Sequence, residues 1–341
     1  MIRLRRTLSP LRLALAGAGL LAFAFLLLWL LPSNEYIFLP DRAHPVGPLV
    51  VVQGGHPPKD GGDVYFVDIF VRKATLIERL WPGIHECAQL VPASDVLPKG
   101  ISDSQRVQAD RREMTHSQQL AAAVALRAAG YHVIARPTGV LIEQVAGDAP
   151  AAGVLQPTDV IVAADGKQVR VPADLRRIVG AHTAGSTVQL AIHRGAEQKL
   201  FDVKTVADPS QQGRSIIGII VSQAAFIKLP LNVKINAGTI GGPSAGLAFA
   251  LDILEQLGHD VDHGQKIAAT GQIELDGSVT PIGGVEQKTI GVRRAGVHVF
   301  LVPAGDNATE ARRYAGDVRI VPVHSFRQAL RALATLSKKA D

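Results

Sequence analysis

The longest apolar stretch of the chain covers residues 13–31 and contains no charged residue. As a helix rising about 1.5 Å per residue it would span about 28 Å, which is close to one hydrocarbon core. Arginines precede this stretch, and the first acidic residues, Glu35 and Asp41, follow it. The positive-inside rule therefore predicts that residues 1–32 form a basic cytoplasmic tail and a single membrane-spanning helix. The body would then lie outside the cytoplasm.

A cleaved signal peptide is the alternative interpretation of the same stretch. Its apolar region would be unusually long, and no small-x-small cleavage site follows Leu31. We therefore favour a retained anchor.

Residues 33–130 form a connecting region of changing character. A linker at 33–47 precedes two β-branched or alternating segments, 49–52 and 64–71, which we expect to pair as a β-hairpin with a long loop. Residues 80–112 show no period, so we expect irregular structure there. Helix-forming residues fill 117–129, which predicts a helix capped by Gly130.

Residues 131–207 alternate short apolar segments with turns and predict a β-rich domain. We expect strands at 140–145, 159–164, 187–193 and 201–206, a turn with a short helix at 148–153, and a helix near 173–179. Asp165 and Gly166 are typical of a tight turn that joins two strands.

Residues 208–338 alternate strands with helices, which predicts an α/β (α+β) domain. The expected strands are 216–221, 231–235, 267–275, 297–302 and 318–321, and the expected helices are 244–257, 285–295 and 325–336. The helix at 244–257 is apolar on nearly all sides, so it should be buried. Ser325 is suited to cap the last helix.

The charge distribution does not indicate a nucleic-acid partner. The formal net charge is +6, and four of the positive charges are the arginines before the apolar stretch, so the body carries only +2. Cys87 is the single cysteine, which excludes an intrachain disulfide and indicates a thiol without a chemical role.

A candidate nucleophile stands in the segment GGPSAG at 241–246. Pro243 suits a first helical position, and glycines on both sides of Ser244 let another backbone, such as a substrate strand, approach closely. We expect Gly242, Pro243 and Ala245 to support the site. A helix N-terminus offers unpaired N–H groups to a developing oxyanion, and the Ser244 amide would be the nearest donor. Taken alone, Ser244 could equally be a helix N-cap.

A second motif, TGQI at 270–273 followed by DGSVTPIGGVEQK at 276–288, brings in Thr270 and Lys288. Periodicity alone would place Lys288 on a solvated helix face. Burial among Ile282, Val285 and Ile290 would instead disfavour the ammonium and lower the pKa of the lysine. The neutral amine could then take the proton of Ser244 and pass it to a leaving amine.

Residues 131–207 resemble a bacterial PDZ domain. The resemblance rests on GVLI at 139–142, APAAG at 149–153, LQPTDVI at 155–161 and DGKQV at 165–169. It implies that an extended peptide end adds as a strand beside Gly139, Val140, Leu141 and Ile142. The segment RPTG at 136–139 stands where such domains have a glycine-flanked carboxylate loop, so this chain departs from the pattern there.

Residues 208–338 resemble the proteolytic domain of Lon-type peptidases, and the whole chain resembles the bacterial membrane-anchored PDZ/Lon-like proteins. The resemblance implies that Ser244 is the nucleophile, that Lys288 is its base, and that Thr270 hydrogen-bonds the lysine. Gly241 replaces an acidic residue of that family and Gln272 a frequent glutamate, which affects rate or regulation rather than the proton acceptor.

These observations lead us to expect a serine endopeptidase with a Ser–Lys dyad that cleaves extracytoplasmic polypeptides. The sequence contains no GxxxxGK[ST] loop, so we expect activity without ATP. We expect no cofactor and no metal, although His259 and His263 flank two aspartates, and a Ser-His-Asp triad is disfavoured because no GxSxG elbow surrounds Ser244.

Two other functions are compatible with the same motifs. The chain could be a non-catalytic adaptor that binds peptide ends, or a peptidase that mainly processes itself. Besides polypeptide substrates and the membrane, a homo-oligomer is a possible partner state, because Lon-type domains usually form rings.

Overall fold

The computed structural model describes residues 10–56, 61–97, 102–208 and 213–336. The chain divides into two compact units. We call residues 1–39 and 70–96 the small unit, and residues 40–69 and 97–341 the large unit.

The small unit contains the helix Pro10–Leu30 and a sheet whose central strand is Pro32–Pro40, flanked by Ile69–Thr75 and Gln89–Pro92. Its short helices are Leu76–Leu80, Pro82–Ile84 (a 3-10 helix) and Ala93–Val96. The buried Glu78 carboxylate ties these elements together, because it accepts bonds from Arg72 at 2.6 and 2.9 Å and lies 2.7 Å from His85. The Arg72 guanidinium holds the pKa of Glu78 well below its usual range.

The expected membrane helix coincides with Pro10–Leu30 in position, and many of its leucine and phenylalanine side chains are exposed. Within the described ranges, no helix meets both the length and the hydropathy that crossing a membrane requires. The structure therefore leaves the predicted anchor at 13–31 without support.

The large unit is organised around a mostly parallel sheet. Asp63–Phe66, Lys266–Ala269, Val299–Pro303 and Arg319–Val323 lie parallel in that order, and His44–Pro45 pairs antiparallel at the first edge. Two small antiparallel pairs accompany it, Val50–Val52 with Val233–Ile235 and Gln272–Ile273 with Val279–Thr280. A 3-10 turn, Gly47–Leu49, precedes the first of these pairs.

Five helices complete this part: Asp103–Ala128, Gly246–Gln256, Val285–Arg294, Asp306–Tyr314 and Phe326–Leu333. We call the first three the long helix, the serine helix and the lysine helix. Every residue of the serine helix is buried, because it packs against both the long helix and the sheet strands. Ser325 caps Phe326–Leu333 as predicted, since its hydroxyl accepts the Gln328 amide at 3.2 Å.

The predicted hairpin between 49–52 and 64–71 is wrong. Val50–Val52 pairs with Val233–Ile235, and Asp63–Phe66 pairs with Lys266–Ala269. The second segment also divides, because the strand ends at Phe66 and a new one begins at Ile69. Sequence distance misled the prediction, since both strands find their partners about two hundred residues away in the α/β domain. The connecting region therefore supplies part of the mostly parallel sheet.

Three boundaries also differ from expectation. The irregular segment at 80–112 contains the start of the long helix, because Ser102 and Gln105 form a capping box. The predicted strand 267–275 is interrupted at Thr270 and Gly271, where Gly271 has φ 146°. The predicted helix 244–257 begins only at Gly246, so Pro243 and Ser244 lie in the loop before it.

The β-rich segment forms a sheet of six strands with its own core. Its main path runs Glu197–Lys204, Thr187–Arg194, Val160–Ala164, Ile134–Val145 and Ile219–Lys228, with Lys167–Gln168 joined to Val160–Ala164. The helix Pro172–Gly180 contacts three of these strands, and Val206–Ala207 pairs with Ser215–Ile216 beside it. Asp165 and Gly166 have φ of 49° and 70°, which confirms the predicted tight turn.

Candidate active site

The loop that carries Ser244 is held by the long helix. The Gly242 amide donates to the Asp110 carbonyl at 2.8 Å, and the Ser117 hydroxyl donates to the Pro243 carbonyl at 2.9 Å. Gly242 has φ 82°, which favours glycine, and a Cβ at Gly241 would lie 2.6 Å from the Cβ of Asp110. The glycines of GGPSAG therefore allow close contact with a helix of this chain.

The backbone of Ser244 is fixed from the opposite side by the interrupted strand. Its carbonyl accepts the Gly271 amide at 2.8 Å and the Thr270 hydroxyl at 3.2 Å. Thr270 is fully buried, and its described hydroxyl bond goes to the Ser244 carbonyl, not to Lys288 as the family resemblance implies. Thr270 thus orients the serine backbone. This explains why the predicted strand 267–275 breaks at this position.

The lysine helix begins directly after a left-handed residue, Gly284, with φ 68°. The preceding loop is fixed by Asn307, whose side chain accepts the Ile282 amide at 2.8 Å and donates to the Ile282 carbonyl at 3.0 Å. This arrangement aims Lys288 inward, where it is only 4% exposed. The Lys288 Nζ lies 2.9 Å from the Ser244 Oγ, within hydrogen-bond reach.

The electrostatics of Lys288 favour its neutral form at mildly alkaline pH. Burial lowers the pKa of Lys288 to about 8, and the Asp68 carboxylate opposes part of that shift. A lysine with this pKa is a far better proton acceptor near neutral pH than an exposed one.

The amide of Ser244, expected from the sequence to be an oxyanion donor, lies in the loop before the serine helix and not at its first turn. Two amides further along are engaged, because Gly246 donates to the Pro243 carbonyl at 3.3 Å and Leu247 donates to the Gly271 carbonyl at 3.1 Å. Over the residues described, no carbonyl accepts the Ser244 amide. It therefore remains available to a ligand that approaches Ser244.

The residues assigned to peptide capture lie in a strand that is paired on both edges. On one side Gly139 pairs with Ala224 and Ile142 with Val221; on the other Val140 pairs with Ile161. The strand Ile219–Lys228 therefore occupies an edge to which a peptide could otherwise add. Their role as peptide-binding residues stays a prediction.

A cluster of buried glutamates lies between the β-rich sheet, the long helix and the strand after Gly271. The Gln272 amide group donates to Glu143 at 3.0 Å and to Glu274 at 3.1 Å. Burial raises the pKa of Glu274 to about 7 and, together with Glu143 and Asp110, that of Glu113 to about 9. The Glu113 carboxyl is therefore largely protonated at neutral pH, and the Glu274 carboxyl is about half protonated.

The loop at 259–263 shows how its histidines are used. Glu255 accepts the amides of Val261 and Asp262, and His263 lies 3.2 Å from Asp260. The loop is thus closed by contacts to a helix carboxylate. No described contact joins these histidines to Ser244.

Several residues of the site carry no motif and were missed by sequence reasoning: Asp68, Asp110, Ser117 and Asn307. Asp110 and Ser117 fall in segments that the sequence assigns to other regions, and Asp110 contributes only its carbonyl. The capping box of Ser102 and Gln105 could have indicated the longer helix, but not its contact with the serine loop.

Comparison with known proteins supports two assignments. Residues 108–205 match the family described as "PDZ domain", and residues 214–333 match "Lon protease (S16) C-terminal proteolytic domain". The chain thus contains a PDZ domain and a Lon-type serine peptidase domain in a mixed α/β structure.

The curated relatives that this chain is similar to include Lon proteases. Lon protease 1 of Sorangium cellulosum is 34% identical over 109 residues, which is 29% of this chain and 13% of that protein. Lon protease of Mesomycoplasma hyopneumoniae is 30% identical over 161 residues, which is 42% of this chain and 18% of that protein. The match therefore covers less than a fifth of either relative's length.

Among solved structures, the PDZ domain of an SdrC-like protein from Listeria monocytogenes is 29% identical, with a TM-score of 0.23. The likeness covers 25% of this chain and 87% of that chain.

Proposed function

We propose that this protein is an ATP-independent serine endopeptidase in which Ser244 is the nucleophile and Lys288 is the general base. The observation that carries the proposal is the 2.9 Å distance between Lys288 Nζ and Ser244 Oγ, in a site where the amine is nearly fully buried. A hydroxyl needs an adjacent base to act as nucleophile, and a buried lysine supplies one without histidine.

In acylation, the Ser244 Oγ attacks the substrate carbonyl carbon while its proton passes to the neutral Lys288 amine. The carbonyl π electrons move to the oxygen, which the free Ser244 amide stabilises. As the C–N bond breaks, the Lys288 ammonium returns the proton to the leaving amine. Water then attacks the acyl carbon while Lys288 takes its proton. As the bond between the acyl carbon and Ser244 Oγ breaks, the proton passes to Oγ and the second product leaves.

The substrates we propose are polypeptide segments that are already extended. Nothing in the sequence resembles a nucleotide-binding loop that would drive unfolding. Exposed tails and loops of other proteins fit this requirement.

Incubation with casein, a disordered polypeptide, tests the proposal. We expect peptide fragments from the wild type and none from Ser244→Ala or Lys288→Met, as measured by mass spectrometry. An adaptor would give no difference between wild type and Ser244→Ala, and an enzyme devoted to itself would alter only its own chain.

Attachment to a bacterial membrane, with an extracytoplasmic body, is the part of this proposal that rests on the sequence. The arginines before residue 13 and the uncharged apolar stretch at 13–31 support it. Carbonate extraction and protease digestion of intact cells test it: a protein released by carbonate, or protected inside cells, would contradict it.

A further inference from the structure

The turn that follows strand Asp63–Phe66 lies against the lysine helix. Asp68 stands in this turn between Val67 and Ile69, and both neighbours contact that helix. Val67 lies against Gly291, one turn beyond Lys288, and Ile69 lies against Gly284, one turn before it. Asp68 is thereby placed beside the stretch of helix that carries the lysine.

The same face of the helix receives the segment that contains Asp41. The Ala43 amide donates to the Gly291 carbonyl at 3.3 Å, and the Asp41 carbonyl fills the space where a Gly291 side chain would lie. Two separate chain segments therefore close on the helix at Gly291 and fix the position of Asp68 relative to Lys288.

The carboxyl group of Asp68 is hydrogen-bonded by Asp41 and by the backbone of Asp68 itself. Its Oδ1 is buried and has no hydrogen-bond partner among the described residues. A buried oxygen without a partner is unusual and costs stability unless the group has another use.

Three charged or titratable groups act on Lys288 or on Asp68 among the described residues: Asp68 itself, Asp41 and His44. Asp68 is the charged group that acts on the Lys288 amine, and Asp68 in turn faces Asp41 and His44, the latter 3.6 Å from Asp41. Burial and Asp41 raise the pKa of Asp68 to about 6, so it is ionised at the higher pH where Lys288 loses its proton.

We propose that Asp68 is a positioning residue for Lys288. The Asp68 carboxylate stabilises the ammonium that forms when Lys288 takes the proton of Ser244. Asp68 exchanges no proton in the reaction; the proton moves from Ser244 to Lys288 and then to the leaving amine. This inference rests on the proposed function and extends it by a third residue.

Carbon-13 NMR of Lys288 in the full chain with labelled lysine tests the inference directly. The resonance is assigned by its loss in Lys288→Met, and its titration midpoint is compared between wild type and Asp68→Asn. Removing the negative charge of Asp68 should lower the titration midpoint of Lys288 by about 1 pH unit. Because a weaker base is a poorer acceptor, kcat on casein at the alkaline plateau should fall about 3- to 10-fold.

Asp41→Asn is the matched control, because it changes the neighbouring carboxyl and leaves Asp68 ionised where Lys288 titrates. Its midpoint should stay at the wild-type value, and Asp68→Glu, which keeps the charge, should stay closer to wild type than Asp68→Asn. Asp68→Ala replaces Asp68→Asn if the latter melts below the measuring temperature.

Superimposed titrations of wild type and the neutral Asp68 variant would overturn the inference, as would equal shifts in the Asp68 and Asp41 variants. The proposed function fails by a different result. If Ser244→Ala cleaves casein as fast as wild type, the dyad is rejected whatever the Lys288 titration shows.

Discussion

The candidate active site and the PDZ-like sheet were both predicted from short motifs, but they differ in whether the expected residues are arranged for their expected role. In the first, residues 44 positions apart converge to a hydrogen bond of 2.9 Å between Lys288 and Ser244. In the second, the motif GVLI at 139–142 folds as a strand, yet both edges of that strand are already paired. The motifs of Ser244 and Lys288 indicated two side chains that lie together in the structure. The motif at 139–142 indicated a fold, and the strand it forms has no open edge for a peptide.

The strand that fills the groove edge belongs equally to the peptidase region. Ile219–Lys228 continues into Val233–Ile235 and then into the loop of Ser244. Its outer side is covered by the long helix, since His116 Nε2 lies 2.8 Å from the Gln223 carbonyl. The PDZ-like sheet is therefore built into the support of the active site. The following predictions either break or sharpen this contrast.

The largest effect is expected from Lys288→Arg. A guanidinium keeps its proton, so it cannot accept one from Ser244, and kcat should fall at least about 1,000-fold. Casein cleavage measures the loss, and an unchanged melting temperature shows that the fold is kept. Substantial activity in this variant would remove Lys288 from the base role.

Gly291→Ala should destabilise the domain that carries Ser244 and Lys288 through packing alone. A methyl group at Gly291 would overlap the Asp41 carbonyl, which is backbone, so we expect a loss of about 2–3 kcal/mol of unfolding free energy. Chemical denaturation measures it. The control is Gly180→Ala in the PDZ-like helix, where the added carbon meets Arg214 at 3.6 Å and stability should change by less than about 1 kcal/mol.

Glu113→Gln tests the region where the two halves meet. Because the pKa of Glu113 is raised from 4.5 to about 9 in the folded state, the wild type loses stability as pH rises from about 5 towards 9. The neutral variant lacks this loss, so its stability relative to wild type should increase by about 4 kcal/mol between pH 5 and pH 8. Parallel stability curves for the two proteins across that pH range would contradict the assignment.

The smallest effect is expected from peptides offered to the PDZ-like sheet. The amides of Leu141 and Ile142 should exchange with solvent hydrogen as slowly as those of Phe300 and Leu301 in the central sheet. Adding peptides with free C-termini at about 1 mM should leave this protection unchanged, since mM affinity is the weakest specific range. Rapid exchange, or protection that appears only with peptide, would show that the strand Ile219–Lys228 can be displaced by a peptide.

Local chemistry made much of this molecule predictable. The period-two segments of the β-rich region, the Asp165-Gly166 turn and the Ser325 cap follow from residue preferences that act within a few positions. These three features need no knowledge of distant partners. The contact between Lys288 and Ser244 was expected by another route, the resemblance of two separate motifs to a known family.

What escaped prediction depends on contacts between distant segments. Val50–Val52 looks like one half of a hairpin, but its partner is Val233–Ile235, beyond the whole PDZ-like insertion. Asp68 looks like an ordinary polar residue after a strand, and only the packing of Val67 and Ile69 on the lysine helix gives it a role. Long-range pairing of this kind leaves no periodic signal in a single sequence.

The most direct test of the dyad is covalent labelling of the full chain with a fluorophosphonate, in which the serine Oγ displaces fluoride from phosphorus. We predict an adduct on Ser244 whose rate of formation is half-maximal near pH 8, as the pKa of Lys288 requires, and which is lost in Lys288→Met but kept in the control Ser222→Ala. A Ser244 adduct that forms equally fast without Lys288, or a label confined to other serines, would contradict the mechanism.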